Sequence, residues 1–418
     1  MPSFDKICVV GLGYIGLPTA AVFARSGVQV IGVDVNPKAV EIINTGKAHI
    51  VEADLDDLLH EVVENGSLKA SLTAEDANAY LIAVPTPFKG DHAPDLAYVE
   101  AATRSIAPFV KEGSLLVLES TVPPGATEKM VEWLEQERPD LKEKGGAGVA
   151  YYAAHCPERV LPGRVLIELV ANDRIIGGIT PTCSAQAQAL YQLFVEGDCV
   201  ITNARTAELA KLTENSSRDV DIAFANELSI ICDKLDIDVW ELIALANRHP
   251  RVNILQPGPG VGGHCIAVDP WFIVDAAPEE AKIIRMAREI NDSKPNWVIS
   301  KVKGAAAKTG KETPVIACLG LAFKADIDDL RESPALIITE RLAEENIAEI
   351  IAVEPNISDQ TPKLKKAGVE LVELDTALSR ADVVVLLVDH AAFKTITLGQ
   401  LENISVIDTR GIVGANHD

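Results

Sequence analysis

The stretch from Gly258 to Cys265 is the first candidate for chemistry in this sequence. It reads GPGVGGHC, and four of its first six residues are glycines. Glycines let a backbone close around a ligand without obstruction from side chains. A cysteine at the end of such a loop can be an exposed nucleophile, and Asp269 follows it by four residues. The alternative is a small buried cysteine that follows a turn.

Lys211, Asn215 and Arg218 form a second candidate group. Their spacing of i, i+4 and i+7 places them on one face of a helix if the segment is helical. Such a face is either a solvated stripe or a row of groups that acts on a polar substrate, with the lysine as a base. The spacing leaves both interpretations open.

A glycine-rich turn near the start of the chain is typical of a dinucleotide site. Residues Gly11 to Gly16 read GLGYIG, follow the apolar run Ile7–Val10, and are followed 18 residues later by Asp34. Such glycines allow a tight turn and close approach of a pyrophosphate, while the acid binds ribose hydroxyls and repels a 2′-phosphate. The motif therefore predicts NAD as cofactor. Two threonines after later strand patterns complete the expected contacts, which are Gly11, Gly13, Tyr14, Ile15, Gly16, Asp34, Thr86 and Thr121.

Basic residues recur at predicted loop positions. One follows Glu158 in the run CPER, three precede the glycine loop, and two follow a late strand pattern. Guanidinium and ammonium groups collected in this way indicate a local anion site, such as one for a diphosphate. The residues are Arg159, Arg248, His249, Arg251, Lys324 and Arg331.

Alternating strand and helix patterns predict the architecture. The fold class we expect is α/β, with two Rossmann-like, doubly wound parallel-sheet domains joined by a helical middle domain with a long central helix. The long helix is predicted over Ala204–Leu235, which contains no glycine or proline. Expected domain bounds are 1–203, 204–308 and 309–418. The strand-like runs are Ile7–Val10, Val28–Val33, Tyr80–Val84, Leu115–Leu118, Val149–Ala153, Arg174–Ile179, Cys199–Thr202, Val315–Leu319, Glu349–Val353, Val369–Val372, Val383–Val388 and Val406–Asp408.

The composition argues against several classes of function. Lys and Arg total 38 against 61 Asp and Glu, so the net charge is −23, which disfavours binding to nucleic acid or to an anionic membrane. No apolar run approaches the roughly 18 to 20 residues of a membrane span, and the first residues lack a signal-peptide pattern. Seven cysteines without C-x-x-C spacing predict a reduced, cytoplasmic protein without a metal site.

The sequence resembles the nucleotide-sugar 6-dehydrogenases, the UDP-glucose/GDP-mannose dehydrogenase family, in six runs that follow one another along nearly the whole chain. These runs are GLGYIGLP, EST, CPER, AELAKLTEN, GVGGHCIAVDP and FKADIDDLRESP. Further runs, such as TPFKGDHAPD and FANELSIICD, are similar to family members that act on UDP-N-acetyl-D-mannosamine. The resemblance implies a four-electron oxidation of that sugar at C6 to the uronate, with two NAD⁺ per turnover, for bacterial surface polysaccharide synthesis.

The resemblance also implies roles for individual residues. Cys265 would carry a thiohemiacetal and then a thioester, and Lys211 would be the base or would stabilise the oxyanion. The implied catalytic residues are Cys265, Lys211, Asn215, Asp269, Glu158 and Thr121. The implied substrate contacts are Arg159, Val160, Lys211, Asn215, Arg218, His249, Arg251, Gly262, Lys324 and Arg331.

The resemblance further assigns the three domains and an assembly. Domain 1–203 would bind NAD, domain 204–308 would form a homodimer on the long helix, and domain 309–418 would bind the UDP-sugar. Arg251 would reach the site of the neighbouring subunit.

Three alternatives remain at this point. A sister enzyme would oxidise UDP-N-acetylglucosamine, UDP-glucose or GDP-mannose. A two-electron hydroxy-acid dehydrogenase would use Lys211 as base, with Cys265 in a structural role. A protein that senses NAD or acts as a scaffold would catalyse no reaction.

Overall fold

The computed structural model describes residues 4–90, 92–161, 163–263, 265–357 and 359–413. The chain divides into two compact units, Met1–Glu214 with Asp275–Ala277, and Asn215–Val274 with Pro278–Asp418. The division falls within the long helix predicted over Ala204–Leu235, whose observed bounds are the same. The three-domain division stays a prediction.

An eight-stranded sheet forms the first unit, with strand order β10-β9-β8-β7-β4-β1-β2-β3. Neighbouring strands are parallel except β8 and β9, which pair antiparallel. The strands are β1 (Lys6–Val10), β2 (Gln29–Val33), β3 (Leu68–Ser71), β4 (Ala79–Ile82), β7 (Leu115–Leu118), β8 (Tyr152–His155), β9 (Arg174–Gly178) and β10 (Cys199–Asn203), with the hairpin β5 (Phe88–Lys89) and β6 (Ala93–Pro94) beside them. The helices are α1 (Gly16–Arg25), α2 (Pro37–Asn44), α3 (Leu55–Glu64), α4 (Ala97–Ile106), α5 (Ala126–Glu137), α6 (Pro139–Glu143), α7 (Val165–Ala171) and α8 (Pro181–Tyr191).

The second unit combines helices with a five-stranded parallel sheet of order β13-β12-β11-β14-β15. Helix α9 (Ala204–Leu235) begins in the first unit and continues here. The other helices are α10 (Val239–Ala246), α11 (Asp269–Ala276), α12 (Lys282–Lys308), α13 (Pro334–Glu344), α14 (Pro362–Lys366) and α15 (Leu374–Arg380). The strands are β11 (Val315–Leu319), β12 (Glu349–Val353), β13 (Glu370–Leu371), β14 (Val383–Leu386) and β15 (Ser405–Asp408).

Alternating side chains explain why both sheets are covered on two faces. In β1, Ile7 and Val9 belong to one apolar core, and Cys8 and Val10 belong to another. Successive side chains of a strand point to opposite faces, so a strand buried on both faces must be apolar throughout. The strand β11 divides its residues between two cores in the same way. The predicted α/β class with two doubly wound lobes is confirmed.

One predicted strand lies elsewhere in the structure, and the strands β3, β5 and β6 were not predicted. The strand predicted at Val149–Ala153 lies at Tyr152–His155, because Gly145, Gly146 and Gly148 adopt positive φ and keep the chain in a turn up to that point. The strand Leu68–Ser71 was not predicted. It is short, and its exposed Lys69 interrupts the apolar pattern.

The same turn follows the first strand of both sheets. Gly11 and Gly320 have φ of 91° and 94°, and each donates its N–H to the last residue of the neighbouring strand at 2.8 Å. The N–H of the next residue then binds a carboxylate, Asp34 in the first unit and Glu354 in the second. The second turn lacks the GxGxxG pattern, so the sequence does not reveal this repeat.

A buried ion pair joins α9 to α12 within the second unit. The guanidinium Nη1 of Arg288 lies 2.6 Å from Oδ1 of Asp219, and both side chains are almost completely buried. Asn291 Nδ2 donates to the same carboxylate oxygen at 2.8 Å. Burial raises the pKa of Asp219 although the guanidinium opposes this. The aspartate therefore depends on its partner in order to remain charged inside the protein.

We predict that Arg288→Met lowers the free energy of unfolding by about 3–5 kcal/mol, because Asp219 is left as an uncompensated buried charge. Urea denaturation measures the loss. The double variant with Asp219→Leu should recover most of it, and Lys282→Met, at an exposed position in the first turn of α12, is the control. Equal losses for Arg288→Met and the control would contradict the interpretation.

Candidate functional site

The glycine turn before α1 forms a cradle of backbone atoms. A Cβ at Gly11 would lie 2.4 Å from the carbonyl oxygen of Ala83, and one at Gly16 would lie 1.8 Å from the oxygen of Gly11. A Cβ at Gly13 would meet no atom within 4 Å. Two glycines are therefore required for packing, and the middle one leaves open space where a pyrophosphate can approach the backbone at a helix N-terminus. The turn fits a dinucleotide.

Asp34 lies directly after β2, beside this turn. Its Oδ2 accepts the N–H of Leu12 at 2.9 Å, and its Oδ1 accepts the N–H of Asn36 at 2.8 Å. A carboxylate has about four lone-pair positions, so two remain for ribose hydroxyls. Tyr14 is exposed and Ile15 is half-buried at the same turn.

The two predicted threonines meet at the same edge of the sheet. Thr86 follows β4 and donates its Oγ1–H to the carbonyl oxygen of Thr121, which follows the adjacent strand β7, at 2.6 Å. Ser120 ties the two strand ends further, because its hydroxyl contacts the backbone of Val84. The structure therefore brings Thr86 and Thr121 together.

Glu158 is held by a buried arginine that the sequence analysis missed. Arg174 lies at the start of β9, with its Nη1 2.9 Å from Oε2 of Glu158. The other oxygen of Glu158 accepts the N–H of Arg159 at 2.7 Å. The guanidinium of Arg174 also lies over the ring of Tyr191, 5.1 Å from its centroid. An arginine that opens an apolar strand pattern is the signal that could have identified it.

A second buried carboxyl belongs to this cluster. Glu119 lies between β7 and Thr121 and accepts the hydroxyl proton of Tyr191 at 2.6 Å. Burial raises the pKa of Glu119 to about 7, although Arg174 opposes the shift. The cluster therefore holds two carboxyls, Glu119 and Glu158, around one guanidinium.

Arg159, Val160 and Lys211 complete the predicted residues of the first unit. The guanidinium of Arg159 binds Glu214, 2.7 Å from Oε1, and donates to the carbonyl of Asp173 at 3.2 Å. Val160 and Lys211 are half-buried. Lys211 lies on α9 one turn before Asn215, as the spacing predicts.

In the second unit, the structure brings together Cys265, Asp269 and Asn215. The carbonyl oxygen of Cys265 accepts the N–H of Asp269 at 2.9 Å, which places the exposed cysteine at the beginning of α11. Asn215 donates its Nδ2–H to Oδ2 of the buried Asp269 at 2.5 Å. The amide is thereby oriented beside the cysteine-bearing turn.

The glycine loop packs against the segment that carries Lys324 and Arg331. A Cβ at Gly262 would lie 2.8 Å from Cβ of Phe323, and the N–H of Gly263 donates to the carbonyl of Arg331 at 3.3 Å. The close approach requires glycine at position 262. Lys324 is exposed, and the guanidinium of Arg331 binds Asp329, with Nη2 2.6 Å from Oδ2.

The remaining predicted substrate contacts are exposed residues of the second unit. Arg218, His249 and Arg251 are exposed, and the N–H of Arg251 approaches Nδ1 of His249 at 3.4 Å.

Arg410 is a further residue that the sequence analysis missed. Its Nε and Nη2 donate to Oδ1 of Asp389 at 2.9 and 2.5 Å, and its Nη1 would lie 2.8 Å from a Cβ at Gly258. It follows β15, in the run VIDTR, and an arginine directly after a strand of a parallel sheet is the signal. The guanidinium therefore borders the glycine loop.

None of the helices within the described ranges is long and apolar enough to cross a membrane. Nor do three or more His, Cys, Asp or Glu side chains group as metal ligands among the residues that the structure covers.

The dinucleotide turn and the exposed cysteine after a glycine loop are features of an NAD-dependent dehydrogenase. The NAD-binding, central and UDP-binding domain profiles of the UDP-glucose/GDP-mannose dehydrogenase family match residues 5–195, 205–293 and 317–415. The chain belongs to this family, and NAD is its cofactor.

Several relatives match over nearly their full length. The UDP-N-acetyl-D-mannosamine dehydrogenase of Escherichia coli is 59% identical and covers 98% of this chain and 99% of its own. The NDP-N-acetyl-D-galactosaminuronic acid dehydrogenase of Ralstonia nicotianae is also 59% identical, over 99% of this chain and 97% of its own. The solved UDP-D-ManNAc dehydrogenase of Pyrococcus horikoshii is 40% identical with a TM-score of 0.88, covering 98% of this chain and 96% of its own.

We predict that Glu119 makes stability depend on pH. The pKa of its carboxyl rises from 4.5 to about 7 on folding, so the folded state holds a proton that the unfolded chain has released between these values. The contribution of Glu119 to the free energy of unfolding is then highest below about pH 4.5 and falls as the pH rises to about 7, by about 2–3 kcal/mol between pH 5 and 8. The difference in unfolding free energy between the wild type and Glu119→Gln, measured by urea denaturation, should fall by this amount.

The variant Glu132→Gln is the control, because its carboxyl is exposed. A difference between the wild type and Glu119→Gln that stays constant from pH 5 to 8 would contradict the prediction.

Proposed function

We propose that the protein oxidises UDP-N-acetyl-D-mannosamine at C6 to UDP-N-acetyl-D-mannosaminuronate in two NAD⁺-dependent steps. The observation that carries the proposal is the exposed Cys265 at the beginning of α11, where Asn215 and Asp269 are hydrogen-bonded to each other. The Escherichia coli relative named for this substrate, 59% identical over its whole length, supports the sugar. The Gly11–Gly16 turn and Asp34 would hold NAD⁺, which would supply the hydride acceptor for each oxidation.

The first step converts the C6 alcohol to an aldehyde. Loss of a hydride from C6 requires that the hydroxyl proton leave as well, and Lys211 is the base that accepts it. Asn215 has one amide hydrogen bond fixed by Asp269, so its remaining N–H can donate to the oxygen that develops negative charge. Thr121 lies at the sheet edge that borders the cofactor turn and assists there.

Cys265 retains the aldehyde for the second step. Its sulfur bonds to C6 and the thiol proton passes to the aldehyde oxygen, which becomes the hydroxyl of a thiohemiacetal. Loss of the second hydride from C6 and of the hydroxyl proton leaves a thioester. Water then adds to C6 and the carbon–sulfur bond breaks. The carboxylate product is released, and Cys265 becomes a thiol again. Glu158 and Asp269 position this water. The covalent bond prevents the reactive aldehyde from escaping between the two oxidations.

Basic residues recognise the rest of the substrate. Guanidinium and ammonium groups bind a diphosphate through charge-assisted hydrogen bonds. We assign this role to Arg159, Arg218, His249, Arg251, Lys324 and Arg331, with Val160 and Gly262 as apolar and backbone contacts. The family's UDP-binding domain profile over residues 317–415 supports a uridine nucleotide.

A second sugar is supported by a specific observation. The Ralstonia relative, named for N-acetyl-D-galactosaminuronic acid, is as similar to this chain as the Escherichia coli relative. The two products differ in the configuration of ring hydroxyl and N-acetyl groups and share the reaction at C6. A sugar nucleotide of galacto configuration is therefore the alternative substrate.

Stoichiometry and a substrate panel test the proposal. We predict two NADH per UDP-N-acetyl-D-mannosamine, measured by absorbance at 340 nm against a limiting amount of substrate. Cys265→Ser should lower acid formation by at least about 100-fold, because the thioester can no longer form. Cys199→Ser, in β10 of the first unit, is the matched control.

Other outcomes point to other functions. One NADH per substrate with an active Cys265→Ser variant would indicate a two-electron dehydrogenase. Faster turnover of the galacto, N-acetylglucosamine or glucose nucleotide would overturn the assignment of the sugar. No NADH from any of these nucleotides would favour a sensor or scaffold.

We also propose a homodimer built on α9 and α10. Large apolar side chains of these helices are exposed within the second unit, and they are Phe224, Ile231, Leu235 and Leu245. Exposed apolar groups concentrated on neighbouring helices are typical of a surface buried by a partner. Arg251 follows α10 and is exposed, so it is available to reach the site of a second subunit.

Subunit mixing tests this assembly. The homodimers of Arg251→Ala and of Cys265→Ala should both be inactive. If Arg251 acts on the partner's site, an equal mixture after co-refolding should recover about a quarter of wild-type activity, because half the dimers are mixed and one site in each is intact. Recovery of no activity would contradict the crossing arginine, and elution as a monomer on gel filtration would contradict the dimer.

We place the reaction in the cytoplasm. The structure contains no disulfide among the described residues, which include all seven cysteines. Reduced cysteines are typical of the cytoplasm. Activity that is unchanged by a reducing agent would support this assignment, and a requirement for oxidised cysteines would contradict it.

A further inference from the structure

A buried carboxylate and imidazole lie at the ends of two strands of the second sheet. Glu354 follows β12, and His390 follows β14 by four residues; both side chains are completely buried. His390 Nε2 lies 3.0 Å from Oε2 of Glu354. Its Nδ1 faces two donors, the N–H of Asp326 at 2.9 Å and Nδ2 of Asn356 at 3.2 Å. An acceptor at Nε2 and donors at Nδ1 require the tautomer with its hydrogen on Nε2.

These two side chains fix a short loop at both ends. Oε2 of Glu354 accepts the N–H groups of Leu321 and Ala322 at 2.7 and 3.0 Å, where the loop begins. His390 accepts the N–H of Asp326, where the loop ends. Oδ1 of Asp326 in turn accepts the N–H of Ala391, the residue after His390, at 2.9 Å. Only Phe323, Lys324 and Ala325 lie between the two anchors.

The anchored loop carries groups that face the glycine loop. The ring of Phe323 would lie 3.1 Å from a Cβ at Gly263, two residues before Cys265. Lys324, the next residue, is exposed. Asp389, directly before His390, binds the guanidinium of Arg410. A displacement of the His390 side chain would therefore alter the position of Lys324 and of the groups that contact the glycine loop.

We infer that Glu354 and His390 are positioning residues that hold Lys324 in place for the nucleotide of the substrate. The imidazole ring of His390 is held by the carboxylate of Glu354 through Nε2, and its Nδ1 accepts the N–H of Asp326 at the end of the loop. Without the Nδ1 acceptor the loop end at Asp326 is released, and Lys324 loses orientation toward a diphosphate. This inference rests on the proposed role of Lys324 in binding the UDP-sugar.

Two substitutions at His390 separate its two nitrogens. His390→Asn places an amide oxygen at the position of Nδ1, where it can still accept the N–H of Asp326. His390→Gln places an amide nitrogen at the position of Nε2, where it can still donate to Glu354. Both remove the ring, so a purely structural role would affect them similarly. Calorimetry should show that His390→Gln raises the Kd for UDP about 10-fold and His390→Asn less than about 3-fold, with the Kd for NAD⁺ unchanged.

Glu354→Gln is a second variant that preserves volume. Its single amide oxygen can accept either from Leu321, Ala322 and His390 or from Asn356, and the NH₂ group then opposes N–H donors at the other position, so the anchor of the loop is weakened. We expect the same rise of about 10-fold in the Kd for UDP. This variant tests the inference even if the substitutions at His390 prevent folding.

A double-mutant cycle with Lys324→Met shows whether His390 acts through the lysine. Coupled residues should give a double variant whose Kd for UDP is raised about as much as in one single variant, whereas independent residues would multiply the two effects. Equal losses in His390→Asn and His390→Gln, an unchanged Kd in His390→Gln, or multiplied effects would overturn the inference.

The proposed reaction and the inference can fail separately. UDP binding by calorimetry does not depend on which sugar is oxidised. A wild-type protein that forms no NADH but shows the expected UDP affinities overturns the reaction and supports the positioning role, and the reverse result overturns only the positioning role.

Discussion

Carboxylates that accept backbone N–H groups hold the loops of this protein in their functional form. Asp34 accepts from the cofactor turn, Glu354 from the turn after β11, and Glu208 from the first residues of α5. Loop and helix-start N–H groups have no partner within their own element, and a buried donor without a partner is costly. Each carboxylate satisfies two such donors, and those of Glu354 and Glu208 belong to distant parts of the chain. Burial raises the pKa of Glu208, which shows the opposing cost of placing the charge inside.

The excess of 23 negative charges is therefore only partly a property of the solvated surface. Some acids orient basic groups, one assigned to the substrate and one that borders the glycine loop. Asp329 binds Arg331, and Asp389 binds Arg410. These pairs keep the guanidinium groups in one orientation before a ligand binds, which lowers the entropy lost on binding. A diphosphate that uses Arg331 must share it with Asp329. The net charge argued against binding to nucleic acid, but it carried no information about these local arrangements.

Elements with a strong local pattern were predictable from the sequence. The bounds of α9 are as predicted, because its 32 residues contain no glycine or proline that would end a helix. The cofactor turn was predictable because its glycines are required by contacts within a few residues of the chain and by the strand beside it. Asn215 and Asp269 were each predicted as site residues, although their hydrogen bond connects positions 54 residues apart.

Features that depend on distant partners were not predictable. Arg174 looks like an ordinary strand residue until β8 and β9 pair and bring it to Glu158. Arg410 follows the last strand, and its relation to Gly258 arises from the tertiary fold. The positioning pair Glu354 and His390 lies 36 residues apart in sequence. In each case, the local pattern contains the residue type but no information about its partner.

The repeated turn has a consequence for how the two sheets discriminate between nucleotides. In the first unit the carboxylate of Asp34 keeps lone pairs for a ribose. In the second unit the equivalent carboxylate, Glu354, already accepts hydrogen bonds from His390, Asn356 and two further backbone N–H groups. A dinucleotide that approached the second turn would find its ribose acceptor already occupied. The same arrangement of strand, glycine and acid therefore leaves acceptor positions open for a ligand in the first unit and holds a loop in place in the second.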